Sequence, residues 1–291
     1  MPLTEFQQII KRDEPLAKHT WFGVGGNAEY FAEPRTIEEL SALIQHCRGE
    51  SIPTRLLGGG SNLLVRDEGV PGVVVQLSAE PFREIKVDGD RIIAGGGAQL
   101  RTLVSTAVGE GLAGLETLVG IPGTVGGALH GNAEGKGGDV GQWTNKATVM
   151  TKAGEIVERG RDEMAFAYRQ SSLDELVILS GEFVLDRADP EELTRRMQKH
   201  WIVTKANQPT ASQNAGCVFQ NPSGMSAALL IEQGGLKGTR IGGAEISDQH
   251  ANFMIAHAEA TTADVLRLTE LVRDRVSEKT GVDLELAIQI W

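Results

Sequence analysis

Apolar residues recur at helical spacing in TIEELSALIQHC, where Ile37, Leu40, Leu43, Ile44 and Cys47 share one face and Thr36 with Glu39 forms a capping box ahead of them. The pattern predicts a helix over 36–48 with Cys47 as part of its packing. A second helix is predicted from Leu100 to Glu110, with Leu100, Leu103, Val104, Ala107 and Val108 inward and Gly109 or Gly111 ending it. Asp189-Pro190 supplies an N-cap and a first-turn proline for a third, which carries Leu193, Met197 and Trp201 four apart. A short helix around Met225 to Glu232 and a long amphipathic one from about Thr262 to Thr280 follow. Between them, GVVVQL, KATVM, EIVER, LVILSGEFVL and the C-terminal VDLELAIQIW read as strands, and Asp88-Gly89 turns a hairpin. Residues 1–18 read as a polar helix or arm. Strands and helices mix without strict alternation, so the fold class is α+β, with no internal repeat and a lobe boundary in the polar segment Lys205 to Asn214.

At 291 residues the chain is longer than one core usually serves, so two or three lobes are expected. A formal net charge of −11, without clustered Lys or Arg, disfavours a nucleic-acid binder. No run of eighteen apolar residues exists, and MPLTEFQQIIKRDEP has neither a signal-peptide core nor a transit-peptide composition, which points to the cytoplasm and no membrane. Two cysteines, Cys47 and Cys217, give no disulfide framework, and His130, His250 and His257 have no metal-ligand spacing, so no metal is expected. His250 reads as a loop-fixing hydrogen-bonder.

Glycine changes the picture: 36 of 291 residues is about 12%, against roughly 7% in ordinary chains. The densest stretch is GLETLVGIPGTVGGALHGN, 114–132, where glycines alternate with Leu115, Leu118, Val119, Ile121, Val125, Ala128 and Leu129. It reads as buried loop rather than linker or helix, a backbone surface suited to a phosphate or an extended cofactor. Gly23, Gly25 and Ala28 match the dinucleotide fingerprint G-x-G-x-x-A, but a strand-like segment stopped by Pro34 follows, so a Rossmann fold is rejected. TRLLGGGSNLLV sets Gly58-Gly59-Gly60-Ser61-Asn62 between short apolar runs, with no P-loop lysine. That turn is either a pyrophosphate cradle or a plain tight β-connection.

Three stretches in order, GGGSNLL at 58, GIPGTVGGAL at 120 and LKGTRIGGAEISDQHANF at 236, resemble the UDP-N-acetylenolpyruvoylglucosamine reductase (MurB) family. YRQSS at 168 and NAGCVFQNP at 214 fit the same pattern, and the resemblance covers roughly residues 19–291. It implies a two-lobed FAD-binding part of the vanillyl-alcohol-oxidase kind over 1–205, with a lobe boundary near 80–95, and a substrate lobe over 206–291. It implies noncovalent FAD lined by Gly58, Gly59, Gly60, Ser61, Asn62 and Leu63 near the pyrophosphate and by Gly120, Ile121, Thr124, Gly126 and Gly127 along its length. It implies NADPH as co-substrate and a small UDP-sugar as partner, with the enolpyruvyl ether reduced to UDP-N-acetylmuramate. The compact chain looks like the family's shorter type, which lacks a tyrosine-bearing loop.

The chemistry asks for donors at the acceptor's carboxylate, where charge develops as hydride arrives. Arg169 matches the family's arginine there, and its planar fork suits a carboxylate better than a lysine. The family commonly has serine as proton donor in Gly-Ser-x-Phe; here Gly216-Cys217-Val218-Phe219 puts a thiol in that place. A thiol, with an ordinary pKa of about 8.5, is a far stronger acid than an alcohol. The alternative is a small buried residue, with water as proton source. Tyr168, Gln220 and Asn221 match substrate-contact positions, although Gln220 stands where lysine is common. The family's C-terminal glutamate falls on Ala287 in Leu284-Glu285-Leu286-Ala287; Glu285, two residues earlier on the same strand face, either substitutes for it or leaves Arg169 and Cys217 alone. The competing functions are another oxidoreductase on this scaffold and a flavoprotein impaired in catalysis. Oligomeric state is not read from the sequence.

Overall fold

The computed structural model describes residues 3–209 and 214–291. The chain divides into two compact units, one from Met1–Arg12, Tyr30–Gly59 and Pro71–Thr204, the other from Asp13–Glu29, Gly60–Val70 and Lys205–Trp291. The sequence reading cuts the chain at 205, with a lobe boundary near 80–95 before it; in the structure two early segments, Asp13–Glu29 and Gly60–Val70, group with the C-terminal residues. The reason is long-range: Leu63–Leu64 pairs in parallel with Gln289–Ile290, and Phe22, Val24 and Leu64 are buried in that unit's core.

The first unit holds two cores. One surrounds the helix Ile37–Gly49, whose Leu40, Leu43, Ile44 and Cys47 are buried with Val73, Val75, Met150 and Val177. Half of the predicted capping box forms: the Thr36 hydroxyl accepts from the Glu39 amide at 3.2 Å, while the Glu39 carboxylate accepts from the Arg35 amide at 2.7 Å rather than from that of Thr36. In the sheet beside it, Thr54–Leu57 runs parallel to Val70–Gln76. The second core lies between the helix Leu100–Gly109 and an antiparallel five-stranded sheet ordered Ile156–Gly160, Thr144–Met150, Val177–Val184, Arg91–Gly95, Ile85–Asp88. The Asp88-Gly89 turn joins the last two strands, with Asp88 opposite Arg91 and Gly89 at φ +61°.

In the second unit the helix Thr262–Thr280 buries Val265, Leu268, Val272 and Val276, and a three-stranded antiparallel sheet follows the order Arg240–Ile241, Ala244–Ile246, Met254–Ala256. Its first turn is a capping box in which Asp264 receives amides from Thr261 and Gly243; those donors hold the carboxyl down at about 2.

Three local expectations change. Residues 1–18, read as a polar helix or arm, contain the strand Ile10–Pro15 between short 3-10 turns and no α-helix among the described residues. The stretch 114–132, expected as loop, contains the helix Val125–His130, capped where Thr124 Oγ1 accepts from the Gly127 amide at 3.3 Å. The C-terminal strand shrinks to Gln289–Ile290, with Leu286 bridging Phe219 alone. The third helix runs Pro190–Asn207, and the division between the units, after Thr204, falls at the start of the predicted boundary segment, of which residues 210–213 lie outside the described residues. No helix among the described residues is long and apolar enough to cross a membrane.

Candidate active site

Within the first unit the two glycine stretches meet. A Cβ on Gly59 would lie 2.7 Å from the Gly123 Cα, and one on Gly58 would lie 3.0 Å from Thr124 Oγ1. Main-chain bonds hold the second stretch: Leu100 donates to the Gly123 carbonyl at 3.0 Å, and Gly126 to that of Gly96 at 2.8 Å. Ile121 is half-buried, its amide donating to Leu118 at 3.1 Å. Glycine at 59 is therefore required by backbone lying on backbone, and glycine at 123 by its φ of +105°. Gly120 has a different neighbour, since a Cβ there would sit 3.2 Å from the Trp201 ring. Gly127 is exposed and has only Thr124 near it.

In the second unit Gly60, at φ +63°, carries the chain into Ser61 and Asn62. The Trp21 amide donates to the Gly60 carbonyl at 3.0 Å, which docks residues 19–23 on the turn. Thr20, next to that bond, is buried and its hydroxyl has no hydrogen-bond partner. Asn62 does structural work: its Nδ2 donates to the Ala287 carbonyl at 3.1 Å and its carbonyl accepts from Gln289 at 3.0 Å. Leu63, buried, starts the strand paired with Gln289–Ile290. An orphaned hydroxyl beside a tight glycine turn fits a ligand rich in acceptor oxygens, as the FAD diphosphate is.

Arg169 occupies a two-residue turn. Ala167 pairs with Gln170 across a short hairpin, leaving Tyr168 and Arg169 at its tip. Arg169 takes φ +56°, a conformation that costs a side-chain-bearing residue about 1–3 kcal/mol. The surroundings hold the turn. Asn132 Nδ2 donates to the Ala167 carbonyl at 2.9 Å, and the Ser171 hydroxyl donates to the His130 carbonyl at 3.0 Å. His130 and Asn132 close the Val125–His130 helix, so one element fixes both the second glycine stretch and the arginine. The guanidinium carbon lies 5.9 Å from the centre of the exposed Tyr168 ring, and Arg169 has no ion-pair partner among the described residues.

Cys217 lies in the second unit on an extended segment of isolated β-bridges, clamped from both sides. Gly216, at φ +73°, donates to Asn214 Oδ1 at 2.9 Å and turns the chain into Cys217, which is half-buried and bridges Phe253. Asn252 makes the clamp: its carbonyl accepts from Val218 at 2.9 Å, its Oδ1 from Phe219 at 2.9 Å, and its Nδ2 donates to the Phe219 carbonyl at 2.8 Å. Sequence reasoning missed Asn252 and chose His250 as the loop-fixer. His250 does accept the Asn252 amide through Nδ1 at 3.3 Å, so it supports the residue that holds the Cys217 segment. Asn252 shows in the sequence only as a polar residue among the apolar Ala251, Phe253 and Met254.

On the other edge, Ala287 donates to the Val218 carbonyl at 2.7 Å and Gln220 to that of Glu285 at 2.8 Å. The register sets Ala287 level with Val218, one residue from Cys217, and Glu285 level with Gln220, three residues or about 10 Å along. Glu285 is exposed. Gln220 Nε2 donates to the Leu286 carbonyl at 3.1 Å, and Asn221 Oδ1 accepts the Ala227 amide at 3.0 Å, at the start of the helix Ala227–Gln233.

The family model for an FAD binding domain matches residues 28–160, and that for the C-terminal domain of UDP-N-acetylenolpyruvoylglucosamine reductase matches residues 208–291. A UDP-N-acetylenolpyruvoylglucosamine reductase of Rhodopirellula baltica is 38% identical across 97% of this chain and 93% of its own. The UDP-N-acetylenolpyruvoylglucosamine reductase 2 of Symbiobacterium thermophilum is 43% identical across 97% of this chain and 92% of its own. The crystal structure of the MurB reductase from Thermus caldophilus superposes with a TM-score of 0.84 at 38% identity, covering 97% of this chain and 98% of that one.

Proposed function

The chain belongs to the UDP-N-acetylenolpyruvoylglucosamine reductase (MurB) family, and from that premise we propose that it reduces UDP-N-acetylglucosamine enolpyruvate to UDP-N-acetylmuramate in peptidoglycan synthesis, in the cytoplasm. Bound FAD supplies the hydride chemistry, with NADPH as donor. Residues 1–205 serve the cofactor and 206–291 the substrate. The glycine turn Gly58, Gly59, Gly60, Ser61, Asn62 and Leu63 serves the FAD near its pyrophosphate, and Gly120, Ile121, Thr124, Gly126 and Gly127 serve it along its length.

Arg169 polarises the enolpyruvyl carboxylate. The guanidinium meets the charge that builds on that carboxylate in the transition state, and a fixed fork does so without reorganising. Cys217 gives a proton to the neighbouring carbon, its thiolate then being reprotonated from solvent. Tyr168, Gln220 and Asn221 contact the UDP-sugar, and Glu285 supplies the carboxylate lacking at Ala287. The observation that carries the reading is Arg169: an anchored, strained turn presenting a guanidinium without an ion-pair partner among the described residues. Ala287 favours one second reading, a flavoprotein that accepts electrons from NADPH but passes them on poorly.

An anaerobic titration separates the two. The protein is reduced with NADPH, excess donor is removed, and the enolpyruvyl sugar is added while flavin absorbance is followed. Reoxidation with formation of UDP-N-acetylmuramate supports the reductase; reduction without reoxidation supports the second reading.

A further inference from the structure

We propose that the Thr20 hydroxyl is a ligand of the FAD diphosphate, donating a hydrogen bond to a non-bridging phosphate oxygen. The inference rests on the cofactor reading above and adds a residue that the glycine motifs do not contain. Thr20 is 9% exposed, and its Oγ1 has no hydrogen-bond partner. Buried hydroxyls are rarely left without one, because an unmade bond forfeits the solvation lost on burial. A hydroxyl kept in that state is satisfied when a ligand arrives.

Its position says which ligand group. A Cβ on Gly60 would stand 2.8 Å from the Thr20 Cα, so the threonine backbone lies directly on the Gly60 turn. Two bonds pin it there, Trp21 to the Gly60 carbonyl at 3.0 Å and Gly23 to the Thr20 carbonyl at 3.3 Å. The neighbouring Ser61 hydroxyl also has no hydrogen bond among the described residues. Two free hydroxyls on one tight turn match phosphate oxygens, which only accept.

The test compares Thr20→Val, nearly isosteric, with Thr20→Ser, which keeps the hydroxyl. FAD affinity of the stripped apoprotein is read by quenching of flavin fluorescence, and melting temperature is read on the apoprotein. The expected result is opposite in sign: Thr20→Val binds FAD about tenfold more weakly or worse, yet its apoprotein melts no lower than wild type, because an unpaired polar atom has been removed. Thr20→Ser recovers most of the affinity. The phosphorus-31 lines of bound FAD shift in Thr20→Val while the visible flavin spectrum stays put. Unchanged FAD affinity in Thr20→Val overturns the inference, as does a flavin-band shift with unmoved phosphorus lines. A wild-type apoprotein that takes up no FAD overturns the cofactor reading itself.

Discussion

Asn132 donates from Nδ2 to the carbonyl of Ala167 at 2.9 Å, and through that bond a residue at the end of the glycine-rich stretch sets the base of the turn that carries Arg169. The other end of its amide accepts from Gly141 at 3.1 Å, so both halves are used and the side chain is buried. Asn132 itself sits at φ +44°, where asparagine and glycine are tolerated.

Asn132→Gly keeps that backbone conformation and deletes both bonds. We expect reoxidation of the flavin by the enolpyruvyl sugar to slow at least about tenfold, in line with the sensitivity of catalysis to misplacement. Reduction by NADPH stays near wild type. Stopped-flow measurement of the two half-reactions decides, and equal slowing of both would assign Asn132 to general structure rather than to Arg169.

Gly59→Ala sets a methyl 2.7 Å from the Gly123 Cα, where the obstacle is backbone and cannot swing aside. The cost in stability is about 1–3 kcal/mol, as for an overpacked core. Denaturant unfolding of the apoprotein reads it. Gly89→Ala, on an open hairpin turn at φ +61°, is the control for conformational strain without a clash.

Cys217→Ala removes the proposed proton donor while leaving the Asn252 clamp, which uses backbone atoms of Val218 and Phe219. Loss of a positioned acid slows the acceptor half-reaction by about 10²–10⁴-fold. Cys217→Ser retains a transferable proton and is expected to fall between. If Cys217→Ala turns over like wild type, solvent water is the proton source.

Position 287 can be tested by gain as well as loss. Ala287 lies level with Val218, and Ala287→Glu returns a carboxylate to the register in which the family commonly carries glutamate. Turnover is expected to rise, and Glu285→Gln to lower it in the parent chain but not in Ala287→Glu. Glu285→Gln with unaltered turnover excludes Glu285 from the chemistry.

Burial holds the His250 imidazole below its ordinary range, and its Nδ1 accepts a hydrogen bond only while unprotonated. The unfolded chain takes up its proton near pH 6.5. The neutral ring therefore contributes stability that is fully present above that pH and is lost as pH falls through the lower folded value. Urea unfolding at pH 8 and pH 5 should show a larger loss for wild type than for His250→Gln; equal losses would contradict it.

What the sequence determines is local. Thr36 caps the helix Ile37–Gly49, Asp88-Gly89 turns a hairpin, and Thr262–Thr280 runs where its apolar spacing predicts, because caps, turns and amphipathic faces are written within a few residues. The glycine motifs mark the candidate cofactor surface for the same reason. Tertiary structure decides the rest. Ile10–Pro15 is a strand because a partner strand takes its backbone groups, and Val125–His130 is helical despite Gly126 and Gly127 because glycine lets it lie against Gly96. Asn132, Asn252 and Thr20 matter through atoms far away in the chain or through a missing partner. A hydrogen bond between residues 35 positions apart, such as Asn132 to Ala167, leaves no periodicity behind. Only the folded backbone, by bringing donor to acceptor, gives such a residue its role.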